Sequence, residues 1–301
     1  MPPCSPDRIW FGRRPAVGGC RLRRYDTWQG GLTDALRLSE AMTCKAAVAG
    51  LDFGGGKSVI ALGRDTGLTP ELREAALEDL GELIASLAGS YRTGPDTGPA
   101  DMVVLKRFSP YAYCAPEEHG GTGDSGGPTA TGVPAALRAG ARHVFGAASC
   151  AGLAAEGAHA VVSDVDRFRK DAALAAGCGW VEPDQALSAP ADILVPAAVG
   201  GVLDEATVPR LAAPLIVGPA DNQLTDESVA DALAGRGIVC ALSRESEHRG
   251  HEAAHRWVEG IGDTVTRVLD LARSTGVTPQ PAVRRIAEAR LAAATAPVRA
   301  D

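Results

Sequence analysis

Residues 33–62, TDALRLSEAMTCKAAVAGLDFGGGKSVIAL, decide the fold of the N-terminal half of this chain. Over 33–48, apolar side chains recur at near-helical spacing, which predicts a helix capped by one of its first two residues. The glycine-rich segment 50–56 ends that helix, and 58–62 has the composition of a short buried strand. A helix, a glycine turn and a strand in this order predict one α/β layer.

Two lysines fall in this stretch, Lys45 near the predicted end of the helix and Lys57 at the junction of turn and strand. The run Gly54–Gly56 before Lys57 lacks the glycine spacing and the following helix of a phosphate-binding loop. Glycines instead allow a ligand to approach the backbone closely, and partial desolvation would lower the pKa of Lys57 toward values useful for proton transfer.

The rest of the chain alternates helices with strands. Thr69–Ser86 is amphipathic and has a proline in its first turn, which predicts a helix, and the polar loop 117–128 leads to another at 129–141. Further strands are predicted at 143–145, 160–163, 193–195 and 215–217. We therefore predict an α/β fold with an N-terminal domain over 1–130, a parallel-sheet domain over 131–250 and C-terminal helices over 251–301 that return to the first domain.

Composition excludes several classes of function. A formal net charge of -7 leaves no broad basic surface for nucleic acid. The seven cysteines are scattered without a C-x-x-C pair, which indicates reduced thiols. No apolar run has the length of a signal peptide or reaches the ~20 residues of a membrane span, so we expect a cytoplasmic protein whose partners are small molecules or copies of itself.

The motifs resemble those of a known family. Gly18–Arg21 and Asp34–Ile60 are similar to leucine, valine and phenylalanine dehydrogenases almost position by position. Further similarity lies in Gly123–Asp124, Pro128–Val133, Asp192–Gly201 and Gly218–Leu224. The chain thus resembles the Glu/Leu/Phe/Val amino-acid dehydrogenases, above all their leucine and valine branch. The resemblance implies that the first domain is catalytic and that the second is a Rossmann-like domain with shortened elements.

The same resemblance implies a substrate site. Lys45 would hold the substrate α-carboxylate, with Gly19 and Asn222 beside the substrate. Lys57 would activate the water that attacks an imine or stabilise the carbinolamine that follows, and Asp96 would be its proton partner. Asp96 could instead cap a turn next to its glycine and proline neighbours.

By resemblance the cofactor is NAD, which would contact Thr129, Gly146, Asp164, Pro196 and Ala197. An acidic residue at the end of the second strand favours NAD over NADP by binding the ribose. Asp164 could also be only a strand-end residue inherited from an ancestor that bound NAD.

The sequence departs from the family at three places. In the dinucleotide fingerprint, Ala148 and Ala151 stand at two of the three glycine positions, which puts pyrophosphate binding in doubt. A segment lining the nicotinamide site is replaced by residues 243–247. The chain begins 17 residues before Gly18, which suggests an altered homo-oligomer.

A histidine cluster follows the replaced segment. His248, His251 and His255 could share one helix face and bind zinc, with Glu252 as a base. The surroundings are charged and no further ligand motif follows, so we expect a solvated helix face and no metal.

Three hypotheses for the function follow. The first is NAD-dependent oxidative deamination or reductive amination of a small aliphatic L-amino acid. The second is a repurposed, NAD-independent enzyme that performs imine, hydration or condensation chemistry on an amino or keto acid. The third is a non-catalytic, dehydrogenase-like subunit.

Overall fold

The computed structural model describes residues 15–95, 97–121, 123, 126–146, 158–197, 200–220, 223–226, 228–242 and 260–295. The described residues form two compact units. The first contains the chain up to Thr129 and from Arg284 onward, and the second contains the described residues between Ala130 and Val283. Among all these residues, every helix is too short or too polar to cross a membrane.

The first unit is built on a parallel sheet around β1 (Ala16–Tyr25). On one side β1 pairs with β2 (Gly54–Gly55) and β3 (Ser58–Gly63), and on the other with β4 (Tyr91–Pro95). Its helices are α1 (Trp28–Val48), α2 (Pro70–Ser86) and α3 (Pro99–Phe108). The predicted helix at 69–86 is confirmed, with Thr69 as its cap and Pro70 in its first turn.

Helix α1 begins earlier than predicted. Its cap is Thr27, whose side chain accepts a hydrogen bond from the Gly30 N–H, whereas Thr33 already lies inside the helix and donates to the Gln29 carbonyl. The predicted start near Thr33 is wrong because glycines in the first turns disfavour a helix locally. Tertiary packing overrides that preference, since a Cβ at Gly31 would lie 2.8 Å from the Ala61 side chain.

Asp34 joins helix α1 to strand β1. Its Oδ2 accepts hydrogen bonds from Arg21 at 3.0 Å and from the Tyr25 hydroxyl at 2.5 Å. Burial, together with the hydrogen bond to Asp34, raises the pKa of Tyr25 to about 12. The helix is thereby fixed near its start to the central strand.

The C-terminal part of α1 packs directly on β2. A Cβ at Gly55 would lie 2.0 Å from the Thr43 nitrogen and 2.5 Å from the Met42 carbonyl carbon. The Thr43 hydroxyl accepts a hydrogen bond from the Gly55 N–H at 3.1 Å. The glycine at position 55 therefore makes room for the protein's own helix, where the sequence suggested room for a ligand.

The second unit contains two parallel sheets, β5–β6 and β7–β8–β9. Its elements are α4 (Gly126–Phe145), β5 (Val161–Val162), α5 (Arg169–Ala175), β6 (Gly179–Trp180), β7 (Ile193–Leu194), β8 (Leu215–Gly218), α6 (Ser228–Gly235), β9 (Val239–Leu242) and α7 (Ile261–Thr275). The predicted alternation of helices with parallel strands is confirmed. Short 3-10 turns occupy 186–188 and 208–210, while a third at 117–119 belongs to the first unit.

Strand β8 is the centre of this unit, because all its residues are buried. Leu215 and Val217 belong to a cluster with residues of α4 and α7, while Ile216 faces a second cluster that includes Leu203 and Leu233. Burial on both faces is typical of a strand covered by helices on both sides of a parallel sheet.

The predicted strand at 143–145 is wrong, since these residues form the last turn of α4. Val144 packs against the cluster shared by α4 and α7, and the His143 ring nitrogen contacts Arg273 at 2.9 Å. The segment stays helical because it continues the apolar face that α4 presents to β8 and α7. In the described part of this unit, no strand joins β5 to β7.

The C-terminal tail is divided between the two units. Ile261, Val265 and Leu269 of α7 pack in the core of the second unit. The last helix, α8 (Pro279–Thr295), contacts α1 and the turn after it: Arg284 lies 3.5 Å from Glu40, and Arg290 donates to the Gly50 carbonyl at 2.6 Å.

We expect Gly55→Ala to lower the free energy of unfolding by about 2 kcal/mol or more, because the new methyl group meets backbone atoms of α1 that cannot move alone. Urea denaturation measures the loss. Gly67→Ala is the matched control, since no atom lies within 4 Å of a Cβ there. Equal stability of the two variants would contradict the close packing of α1 on β2.

Candidate active site

Lys57 lies at an interruption of the ladder between β1 and its neighbour. Ala16 pairs with Gly54 and Cys20 pairs with Ser58, so the register is the same on both sides of the interruption. The intervening Lys57 therefore stands opposite Gly19. Its side chain and backbone are buried, with 9% of the residue surface exposed.

Lys45 lies in the last turn of α1 and is half-buried. The same helix docking that excludes a side chain at Gly55 sets its place, because Thr43, two residues before Lys45, contacts Gly55, two residues before Lys57. The end of the helix is held by the Leu51 N–H, which donates to the Ala46 carbonyl at 2.8 Å. Both lysines thus belong to one helix–turn–strand junction.

Lysine is rare in this chain. Lysine and arginine together number 30, and only four of these residues are lysines: Lys45, Lys57, Lys106 and Lys170. The arginine guanidinium provides positive charge but does not lose its proton in proteins. A lysine side chain can provide positive charge and can also release its proton to become a neutral amine. Two of the four lysines of the chain therefore lie at this one junction.

Asp96 follows the end of β4 and lies outside the described residues. Pro95, the residue before it in the chain, pairs with Cys20, which also pairs with Ser58 on the other side of β1. Strand pairing therefore brings the residues that precede Asp96 and follow Lys57 to the same level of the sheet.

Helices α2 and α3 hold the residue after Asp96. The guanidinium of Arg73 donates to the Asp101 carboxylate at 2.9 and 2.5 Å and to the Thr97 carbonyl at 3.3 Å. Asp101 is 7% exposed, and its hydrogen bond raises the pKa of Arg73 above the ordinary value. The pair anchors the turn that leaves β4.

Asp164 lies just after β5 in the second unit and is half-buried. Its Oδ1 accepts a hydrogen bond from the Asp166 N–H at 2.9 Å, and its Oδ2 lies 3.5 Å from Arg169 Nε. The carboxylate thus stands at the strand end where a ribose-binding acid is expected. Its role with a cofactor stays a prediction.

Pro196 and Ala197 follow β7 at the carboxyl edge of the three-stranded sheet. Pro196 is buried, and its carbonyl accepts a hydrogen bond from the Ala220 N–H at 3.1 Å, whereas Ala197 is exposed. A Cβ at Gly218 would lie 2.2 Å from the Pro196 oxygen, so the ends of β7 and β8 are in close contact. This edge is where open α/β sheets bind ligands.

The remaining predicted site residues are less fully described. Thr129 lies in the first turns of α4, and Gly146 follows α4 with φ +84°, its N–H donating to the Arg142 carbonyl at 3.1 Å. Those outside the described residues are Asn222, His248, His251 and His255. Within the described ranges, no group of three potential metal ligands occurs.

Sequence reasoning missed two residues of this region, Arg73 and Tyr91. Tyr91 is half-buried, and its hydroxyl contacts the backbone on both sides of the ladder next to Lys57. Neither residue carries a motif of its own. The one available signal was their nearness in sequence to the predicted segments, and only strand pairing connects them to Lys57.

These features define a class: an α/β enzyme of two units, with parallel sheets in both and a lysine junction in the first. The family model for the Glu/Leu/Phe/Val dehydrogenase dimerisation domain matches residues 12–104. The leucine dehydrogenase of Bacillus cereus is 31% identical over 311 residues, which cover 92% of this chain and 84% of that enzyme. The valine dehydrogenase of Streptomyces coelicolor is 35% identical over 322 residues, with 93% and 86% covered.

A solved structure agrees with these relatives. The crystal structure of L-tryptophan dehydrogenase from Nostoc punctiforme has a TM-score of 0.67 and 28% identity, and the match covers 92% of this chain and 88% of that one. The chain belongs to the Glu/Leu/Phe/Val dehydrogenase family, as its motifs predicted, and is an amino-acid dehydrogenase-like oxidoreductase.

We expect Asp101→Asn to lower the free energy of unfolding by about 1–3 kcal/mol, because it leaves a partly buried guanidinium without its counter-charge. The control is Glu74→Gln, which removes an exposed partner of Arg107 between the same two helices. We expect that loss to stay below about 0.5 kcal/mol. Chemical denaturation of both variants measures the difference, and equal losses would show that the Arg73 pair behaves as a surface pair.

Proposed function

We propose that this protein catalyses the NAD-dependent oxidative deamination, and the reverse reductive amination, of a small aliphatic L-amino acid. The observation that carries the proposal is the lysine junction, the segment from Thr43 to Lys57 in which α1 packs on β2. The contact of Thr43 with Gly55 fixes the helix that carries Lys45 to the strand that precedes the buried Lys57. The names of the relatives, leucine and valine dehydrogenase, support an aliphatic substrate.

Lys45 binds the substrate in this proposal. Its ammonium group pairs with the α-carboxylate, next to the backbone at Gly19 and to Asn222. A carboxylate and an ammonium form a charge-assisted hydrogen bond, which is stronger in a partly buried site than in water. The pair orients the amino acid so that its α-carbon lies near Lys57.

Lys57 handles the proton in the hydrolytic step. When bound, NAD would accept the hydride from the α-carbon, and loss of a proton from the amino nitrogen leaves an imine. Water then adds to the imine carbon while Lys57, in its neutral form, takes a proton from that water. That proton would pass from Lys57 through Asp96 to the nitrogen, which completes a carbinolamine. Transfer of the carbinolamine hydroxyl proton to the same nitrogen then breaks the C–N bond and releases ammonia and the keto acid.

The described residues support binding of the ribose and nicotinamide parts of NAD more than binding of its pyrophosphate. Asp164 at the end of β5 would bind the ribose hydroxyls, with Thr129, Pro196 and Ala197 nearer the nicotinamide. Gly146 ends a helix rather than a strand, which differs from the fingerprint geometry expected at the pyrophosphate.

The second candidate function uses the same lysines without NAD, for imine, hydration or condensation chemistry on an amino or keto acid. The observation in its favour is that 143–145 are helical and that no described strand connects β5 with β7. In a dinucleotide-binding sheet the first strand leads into the glycine fingerprint.

The third candidate, a non-catalytic subunit, has weaker support. One structural neighbour, a glutamate dehydrogenase from Thermus thermophilus, is described as hetero-hexameric and shares the fold at a TM-score of 0.69 with 23% identity. We propose a homo-oligomer as the assembly of this chain. Turnover by the purified protein alone would exclude the non-catalytic alternative.

We expect Lys57→Arg to lower kcat by ~100-fold or more, because a guanidinium keeps the charge but cannot accept a proton. Lys45→Arg should mainly raise KM, since a guanidinium can still pair with a carboxylate in altered geometry. Keto-acid-dependent oxidation of NADH measures both. Lys170→Arg, on an exposed helix of the second unit, is the control, and an unchanged kcat in Lys57→Arg would remove Lys57 from the mechanism.

Titration calorimetry with NAD and NADH tests the cofactor. We expect micromolar binding that Asp164→Ala weakens by at least about tenfold, because the ribose loses a bidentate acceptor. Asp166→Ala, in the same turn, should keep the wild-type affinity. The absence of heat at millimolar NAD and NADH would refute the NAD-dependent proposal and favour the second candidate.

A further inference from the structure

The hydroxyl group of Tyr91 stands inside the parallel ladder between β1 and β3. With Cys20 opposite Ser58, a regular ladder would have the Ser58 N–H donate directly to the Gly19 carbonyl. Instead the Ser58 N–H donates to the Tyr91 hydroxyl oxygen at 3.0 Å, and the Tyr91 hydroxyl donates to the Gly19 carbonyl at 3.1 Å. One ladder hydrogen bond is thus replaced by a relay through a side chain.

Tyr91 also contacts the residue on the other side of Lys57. A Cβ at Gly56 would lie 2.7 Å from two carbons of the Tyr91 ring, so the ring packs on the bare Gly56 backbone. The Ser58 hydroxyl lies 3.0 Å from the Tyr91 oxygen as well. Gly56 and Ser58 are the two chain neighbours of Lys57, and a single side chain therefore holds both.

The phenol keeps the proton that this relay requires. Burial raises the pKa of Tyr91, and this effect outweighs the opposing influence of the hydrogen bonds to Ser58 and Thr93 and of the Lys57 charge. A neutral phenol can donate to Gly19 and accept from Ser58 at the same time.

We propose that Tyr91 is a positioning residue for Lys57: its hydroxyl opens the ladder at Gly19 and Ser58, and its ring supports Gly56, so that the lysine between them is held out of regular strand pairing. This inference rests on the proposed function, in which Lys57 is the reacting amine. A reacting amine must be held within about 0.5 Å of its productive position by the residues that surround it.

The small number of lysines allows a direct test that does not depend on turnover. Protein labelled with ¹³C and ¹⁵N in lysine gives side-chain signals from only four residues, which Lys→Arg variants assign. We expect Tyr91→Phe to change the pKa of Lys57 by at least about 0.5 unit, because removal of the hydroxyl leaves Ser58 and Gly19 unpaired until the backbone moves. The signals of Lys106 and Lys170 should titrate as in the wild type.

Tyr113→Phe is the matched control. This variant also removes one hydroxyl group, which accepts a hydrogen bond from Arg92 at 3.0 Å. In the described hydrogen bonds, the Tyr113 hydroxyl does not contact Gly56 or Ser58, the chain neighbours of Lys57. We expect this variant to leave the Lys57 titration unchanged. Thermal unfolding of both variants shows whether either change merely loosens the fold.

Kinetics provide the second measurement. We expect Tyr91→Phe to lower kcat by ~10- to 100-fold with a smaller change in KM, and to move the limb of the pH profile that reports Lys57. A wild-type kcat together with an unchanged Lys57 pKa would overturn the proposal. If the wild type shows no turnover with NADH, the proposed function fails, and the lysine titration still decides the role of Tyr91.

A second variant covers the case in which Tyr91→Phe does not fold. Gly56→Ala keeps the hydroxyl but places a methyl group against the ring, which must move. We expect the same change in the Lys57 pKa. An unchanged titration in this variant would also overturn the proposal.

Discussion

The close approach of helix α1 to strand β2 is the contact on which the first unit depends. Because Gly55 has no side chain, the backbone at Met42 and Thr43 can lie against the strand, and the Thr43 hydroxyl binds the Gly55 N–H. Helix and strand are consecutive in sequence, so this contact fixes the turn between them. The positions of Lys45 and Lys57 follow from it, as does the register of the strand that carries Lys57 along β1.

The second unit depends on a different principle, the complete burial of β8. Helices α4 and α7 cover one face of this strand, and Gly140 allows α4 to approach, since a Cβ there would lie 3.1 Å from Val217 and 3.3 Å from Leu215. The opposite face packs on residues that include Val229 and Leu233. This core is formed without a strand at 143–145, so the unit can remain compact whether or not its fingerprint still binds a dinucleotide. The stability of the second unit therefore does not depend on its ability to bind a dinucleotide.

Elements with strong local signals were predicted well. Helix α2 has a threonine cap, a proline in its first turn and a regular apolar face. The strands at 58–62 and 215–217 are short apolar runs, each followed directly by a glycine. The start of α1 and the segment 143–145 were predicted wrongly for one reason. In both, the local composition favours one structure, while packing against a neighbouring element stabilises another.

The sequence by itself determined the family, the α/β class, and the identity of the two lysines, because these are carried by contiguous motifs and by the period of apolar side chains. Only the tertiary structure decided that the glycine at position 55 serves the protein's own helix, that Arg73 anchors the turn after β4, and that Tyr91 enters the ladder beside Lys57. These contacts join residues 12 to 72 positions apart in the chain. Strand pairing brings such residues together. A local pattern of side chains does not predict which backbone N–H and C=O groups of a strand will bind a side chain in place of the neighbouring strand.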